Sequence, residues 1–166
     1  LALLQIRRGL KTGIEGVTIC VMLLTALMGP LRGPLVLFPY GLLSLWLGYS
    51  WGKGWNWWLS WSVGVLIGTI GFLVRVLVLS VLVGENLWVI LTRAGAGLLE
   101  KVIDIFNLSL IPDMSQVQIV AICLVITQEI VYVLCLHALA YWIFPRLKSS
   151  IPEPPALLEN LLSLES

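Results

Sequence analysis

The sequence predicts an all-α, polytopic membrane protein, and three observations carry that expectation. The chain is 59% hydrophobic and only 11% charged, with a mean hydropathy of +0.99, whereas an ordinary soluble domain carries about 25% charged residues. Its apolar residues gather into runs long enough to cross the roughly 30 Å hydrocarbon core of a bilayer as helices. The central run, Trp61–Val83, holds a single arginine, Arg75, on a stripe of small residues. A formal net charge of +1 excludes an electrostatic nucleic-acid binder as the leading reading. Cys20, Cys123 and Cys135 sit inside apolar runs without metal-ligand or disulfide spacing and read as small buried hydrophobes.

The chain opens on Leu1–Ile6 and then meets Arg7, Arg8 and Lys11. Six apolar-rich residues cannot cross a membrane and lack the basic start of a signal peptide, so they read as the end of an earlier helix in a longer protein. The first complete span is Gly13–Met28, with Glu15 in its first turn, where a carboxylate suits the positive helix end. Gly29–Pro34 makes a tight connection. The second span, Leu35–Trp51, carries Pro39 in its first turns, which frees or kinks backbone near a membrane face. After the elbow Gly52–Gly54, Trp51, Trp55, Trp57, Trp58 and Trp61 read as an aromatic belt at headgroup level.

The third span is Trp61–Val83. Gly64, Gly68 and Gly71 recur at steps of four and three and Arg75 follows four later, so all four share one helical stripe suited to close helix packing. From Leu87 to Asn107 an apolar stripe is accompanied by Arg93, Glu100, Lys101 and Asp104, which make a lipid-exposed crossing costly; an interfacial or re-entrant amphipathic helix is expected. Residues 108–114 form a turn, and Ser115–Phe144 is the fourth span. Four complete spans place Arg7, Arg8, Lys11, Lys53, Arg146 and Lys148 together on one side, with Arg32, Arg93 and Lys101 on the other. By the positive-inside rule both ends of the chain then face the cytoplasm. Two units result: a helical membrane domain over 1–148, and a Pro-rich spacer with a short amphipathic tail over 149–166.

Within the spans only Arg75 and Glu129 are deeply placed ionisable groups, Glu129 standing beside Gln128 with Tyr132 one turn on. Intramembrane charges pair or line a pathway. Arg75, Glu129, Gln128 and Tyr132 are therefore the candidate ligand-binding cluster or buried ion pair, and Gly64, Gly68 and Gly71 the packing face. His137, without a neighbouring Cys, Asp or second His, is a poor metal ligand and reads as packed. No nucleotide, nucleophile or zinc-protease motif is present, so neither catalysis, a metal nor a cofactor is expected.

Several local patterns bear a family resemblance: Gly29-Pro30-x-Arg32 leading to Pro39-Tyr40-Gly41-Leu42, Gly71-Phe72-x-x-Arg75, Gly84-Glu85-Asn86-Leu87-Trp88 and Ile151-Pro152-Glu153-Pro154-Pro155. Together they resemble an uncharacterised multi-pass family of cyanobacteria, itself similar to the YybS-like group and, through it, to the substrate-binding S components of energy-coupling-factor transporters. The resemblance implies a six-helix bundle of which this chain is a part, located in the plasma or thylakoid membrane. It implies capture of a small solute for uptake, powered by a transmembrane coupling subunit and ATPases on separate chains. No ligand residues carry over from that family. The alternative is a non-transporting structural or assembly subunit of a larger, photosynthetic or other, membrane complex.

Overall fold

A computed structural model describes residues 1–30, 32–105 and 113–147, and among them every regular element is helical. Residues 108–112 of the turn expected over 108–114, the tail expected over 149–166 and the boundary between the two expected units lie outside the described residues. The chain begins with α1 (Ala2–Arg8) and α2 (Leu10–Met28), separated by Gly9 at φ +91°. It continues through α3 (Arg32–Leu35), a π-type turn (Leu37–Gly41) and α4 (Leu42–Gly52). The long α5 (Trp57–Val83), α6 (Leu87–Ile105) and α7 (Met114–Ile143) complete the bundle.

Three helices, α2, α5 and α7, with 19, 27 and 30 residues, have the length and apolarity to cross a membrane. The second expected span, Leu35–Trp51, is not a continuous helix. Proline has no N–H for the carbonyl four residues back, and its ring drives the preceding residue out of the helical region. Accordingly Phe38 takes φ −110°, ψ 119° and the helix breaks before Pro39, whose peptide bond to Phe38 is cis. The 11 residues of α4 rise only about 16 Å, half a bilayer. In place of the four complete spans expected, the described residues hold three helices able to span and one broken element. The amphipathic segment forms α6, which lies outside the set of span-forming helices among the described residues.

Helix ends follow local chemistry. Asn56 caps α5 by accepting from the Trp58 N–H (3.1 Å), and Gly84, at φ +76°, ends it in the left-handed turn that glycine tolerates. Asp113 begins α7 with a capping box, its side chain accepting from the Gln116 N–H and Gln116 Oε1 accepting from the Asp113 N–H (3.2 Å), and its Oδ1 also accepts from the Met114 N–H (2.8 Å). Asn86 caps α6 by accepting from the Trp88 and Val89 N–H groups.

The core is built around the short α4 rather than the long helices. Leu43, Leu47, Gly48, Ser50 and Trp51 of α4 are all buried, and Leu43, Leu47 and Trp51 pack against Val133 and Ala140 of α7. The long helices instead turn large apolar faces outward, with Leu27 and Val81 each 74% exposed. Extended faces of that kind are stable only against lipid or another protein. Between α4 and α5, the Trp46, Tyr49 and Trp55 rings pack together and Lys53 Nζ lies 4.7 Å from the Tyr49 ring centre.

Candidate functional site

The site lies along the seam between α5 and α7, whose register is set by three contacts. His137 Nε2 is 3.1 Å from Ser60 Oγ. One turn along, a Cβ added to Gly64 would come within 2.9 Å of Val133. One turn further, Gly68 lies directly against the Glu129 carboxylate. As the α5 number rises by four the α7 number falls by four, so the two helices run antiparallel with glycines admitting the opposing side chains. Ser60 extends the small-residue stripe of Gly64, Gly68 and Gly71 by one turn, and all four are buried.

This register decides the fate of the expected ion pair. Seven residues, about 10 Å of helix, separate Gly68 from Arg75, so the position opposite Arg75 on α7 is not the one that bears Glu129. Pro39 fills the stripe between them: a Cβ on Gly71 would come within 2.5 Å of Pro39 Cβ and 2.7 Å of its Cα. Arg75 is half-buried and has neither hydrogen bond nor ion pair among the described residues. Gln128, expected beside Glu129 in the cluster, is exposed on the outer face of α7. The structure therefore brings Glu129 together with Gly68 and leaves Arg75 and Gln128 apart from it.

Glu129 is 6% exposed, and its Oε2 has no hydrogen-bond partner. Such a group is costly to bury among apolar helices unless something neutralises it. Tyr132, one turn along α7, stacks edge-on against Tyr40 of the broken element, with ring centres 6.1 Å apart. Glu129 thus stands on a corner where α5, α7 and the break at Phe38–Pro39 converge.

Two turns away on the same face of α7, His137 is fully buried and fully served. Its Nδ1 lies 2.9 Å from the Val133 carbonyl oxygen. A carbonyl only accepts, so Nδ1 carries the hydrogen, and in the neutral ring Nε2 accepts from the Ser60 hydroxyl. Ser60 Oγ is in turn 2.8 Å from Ser50 Oγ, which also lies 3.2 Å from the Leu47 carbonyl, and the Trp46 indole N–H donates to the Ser60 carbonyl (3.1 Å). Trp51 and Trp57 close over the imidazole with ring centres 5.1 and 5.0 Å away. This chain of hydrogen bonds ties α4, α5 and α7 together. Sequence reasoning placed His137 as packed but did not find Ser50 and Ser60. The available signal was Ser60, four residues before Gly64 on the same stripe.

A family model described as "Predicted membrane protein (DUF2232)" matches residues 1–160. The chain belongs to that family. No curated protein and no solved structure matches it.

This DUF2232 protein also contains a cavity of about 310 Å³ among α1, α4, α7 and the break, walled by Tyr40, Leu43, Leu47, Trp51, Tyr132 and Phe144. Its lining is largely apolar, and Tyr40 and Tyr132 are among its residues. A second, wider hollow of about 620 Å³ lies outside the seam, where Leu77 and Val81 of α5 meet Glu85, Asn86 and Trp88. Among the described residues no three His, Cys, Asp or Glu side chains gather as a metal-ligand set.

Proposed function

We propose that this DUF2232 protein is the solute-capturing subunit of a multi-component uptake system resembling the energy-coupling-factor transporters, holding a small, mostly apolar solute within the bilayer. The observation that carries this reading is a broken helix beside a partly open, largely apolar cavity. Irregular backbone at membrane depth is tolerated where it is buried in protein or lines a cavity. Discontinuous helices recur at the substrate sites of membrane transporters. The cavity of about 310 Å³ is at the lower end of the range for small-molecule sites, and Tyr40 belongs both to its wall and to the break. Energy comes, on this reading, from a coupling subunit and ATPases on separate chains. The broken element counts as a crossing, which keeps Arg7, Arg8, Lys11, Lys53 and Arg146 on the cytoplasmic side of the plasma or thylakoid membrane.

The test is purification from mild detergent followed by mass spectrometry of the complex and of its small-molecule extract. Co-eluting ATPase subunits and a retained solute support the reading. Ser44→Phe, which puts a ring into the cavity wall, should then abolish solute retention while leaving the protein folded. Co-elution with a large membrane complex and an empty extract would favour the non-transporting assembly subunit.

A further inference from the structure

We propose that Glu129 and the backbone at the Phe38–Pro39 break form a binding site for a single monovalent alkali cation. Two independent observations meet there. Glu129 is nine-tenths buried, yet Oε2 has no hydrogen-bond partner and is pressed against the bare backbone of Gly68. One turn along α5, Gly71 receives Pro39, and Tyr40 packs on Tyr132, so the interrupted backbone lies at the same corner of the seam as the carboxylate.

The chemistry of the two parts is complementary. Extended dihedrals at Phe38 interrupt the helical ladder, and Pro39 offers no N–H to the carbonyl four residues back. The Val36 and Leu37 carbonyls accept from the Gly41 and Leu42 N–H groups, so the carbonyl that loses its helical donor is that of Leu35, and unwound backbone carbonyls of this kind coordinate monovalent cations in discontinuous membrane helices. One carboxylate supplies one negative charge. With the surrounding ligands neutral, the site balances one positive charge rather than two, and oxygen-only donors select a hard ion. Arg75, the cation the sequence offers as a counter-charge, is held about two turns from Gly68 along α5 and leaves the carboxylate unneutralised. Gly68 is needed because any side chain there would occupy the space of Oε2.

The site is independent of the solute-uptake reading, because cation binding is measured on the protein without solute. The experiment follows intrinsic tryptophan fluorescence during thermal unfolding of the detergent-solubilised chain. Sodium, lithium, potassium and choline chlorides are compared at equal ionic strength. A bound cation stabilises only the folded state, so one alkali chloride should raise the apparent unfolding temperature by about 5 °C over choline, saturably, and Glu129→Gln should abolish the difference. Glu129→Asp, which keeps the charge but shortens the reach, should need a several-fold higher cation concentration for the same shift, and it carries the test if Glu129→Gln fails to fold. Equal unfolding temperatures in all four salts overturn the proposal, as does a cation effect that persists in Glu129→Gln. Salt-independent unfolding with carbodiimide modification at Glu129 would assign a proton to that oxygen and also overturns it.

Discussion

The two ends of the α5–α7 seam share a register and differ in how they treat a polar side chain. At one end His137 is fully buried and both ring nitrogens have partners, Val133 and Ser60. Two turns away Glu129 is buried nearly as deeply and its Oε2 has none. The two helices and their register are common to both, while His137 meets Ser60 under Trp51 and Trp57 and Glu129 meets Gly68, so the contrast lies in what each polar group faces. A satisfied network rigidifies and specifies packing, whereas an orphaned group is a liability unless a ligand or proton completes it. Buried polarity in this chain therefore has two meanings: His137 fastens three helices, and Glu129 is held open.

The first way to break the comparison is at the step beyond Glu129, where the seam meets the broken element. Gly71→Ala should cost about 3 kcal/mol, because the added methyl meets the backbone of Pro39 as well as its ring. The measurement is thermal or denaturant unfolding in mild detergent. A near-neutral result would mean that the break is not seated on α5.

The second test sets the two polar groups side by side. His137→Leu strands Ser60 and Ser50 and should cost about 2 kcal/mol. Glu129→Gln, assayed without alkali cations, should change stability by less than about 1 kcal/mol, since Oε2 has no hydrogen bond to lose. Reversed ranking of these two in unfolding assays would show that Glu129, not His137, is the structural fastener.

The smallest expected effect sharpens the comparison further. Gly68→Ala should cost only about 1 kcal/mol, because the atom in its way is the far end of the Glu129 side chain, which can swing aside. Its cation response should nevertheless vanish with the carboxylate displaced. A full response in Gly68→Ala would place the cation away from that oxygen.

Much of this fold was legible in the residues. The spans at Gly13–Met28, Trp61–Val83 and Ser115–Phe144 correspond to α2, α5 and α7 because mean apolarity over a bilayer's length is a property of composition. The second span was expected as a complete crossing with Pro39 freeing or kinking its first turns, and the structure breaks it there. Pro39 announced a disturbance, but a hydropathy pattern does not distinguish a kink from a full break. The pairing of Arg75 with Glu129 was argued from charge alone, and charge says nothing about register. His137 and Glu129 are eight residues apart, a spacing that leaves their relative direction loose until the helix facing them is known.

The chain itself dictated that the protein is helical, that it lives in a bilayer and that a glycine stripe would admit close packing, since these follow from local composition and the periodicity of one helix. Tertiary structure alone decided which oxygen faces which glycine, why Arg75 stands apart and how Ser50, Ser60 and His137 meet. Those outcomes depend on the sliding register of two helices and on where a broken third element wedges between them, and a one-turn slip would exchange every partner without changing a residue.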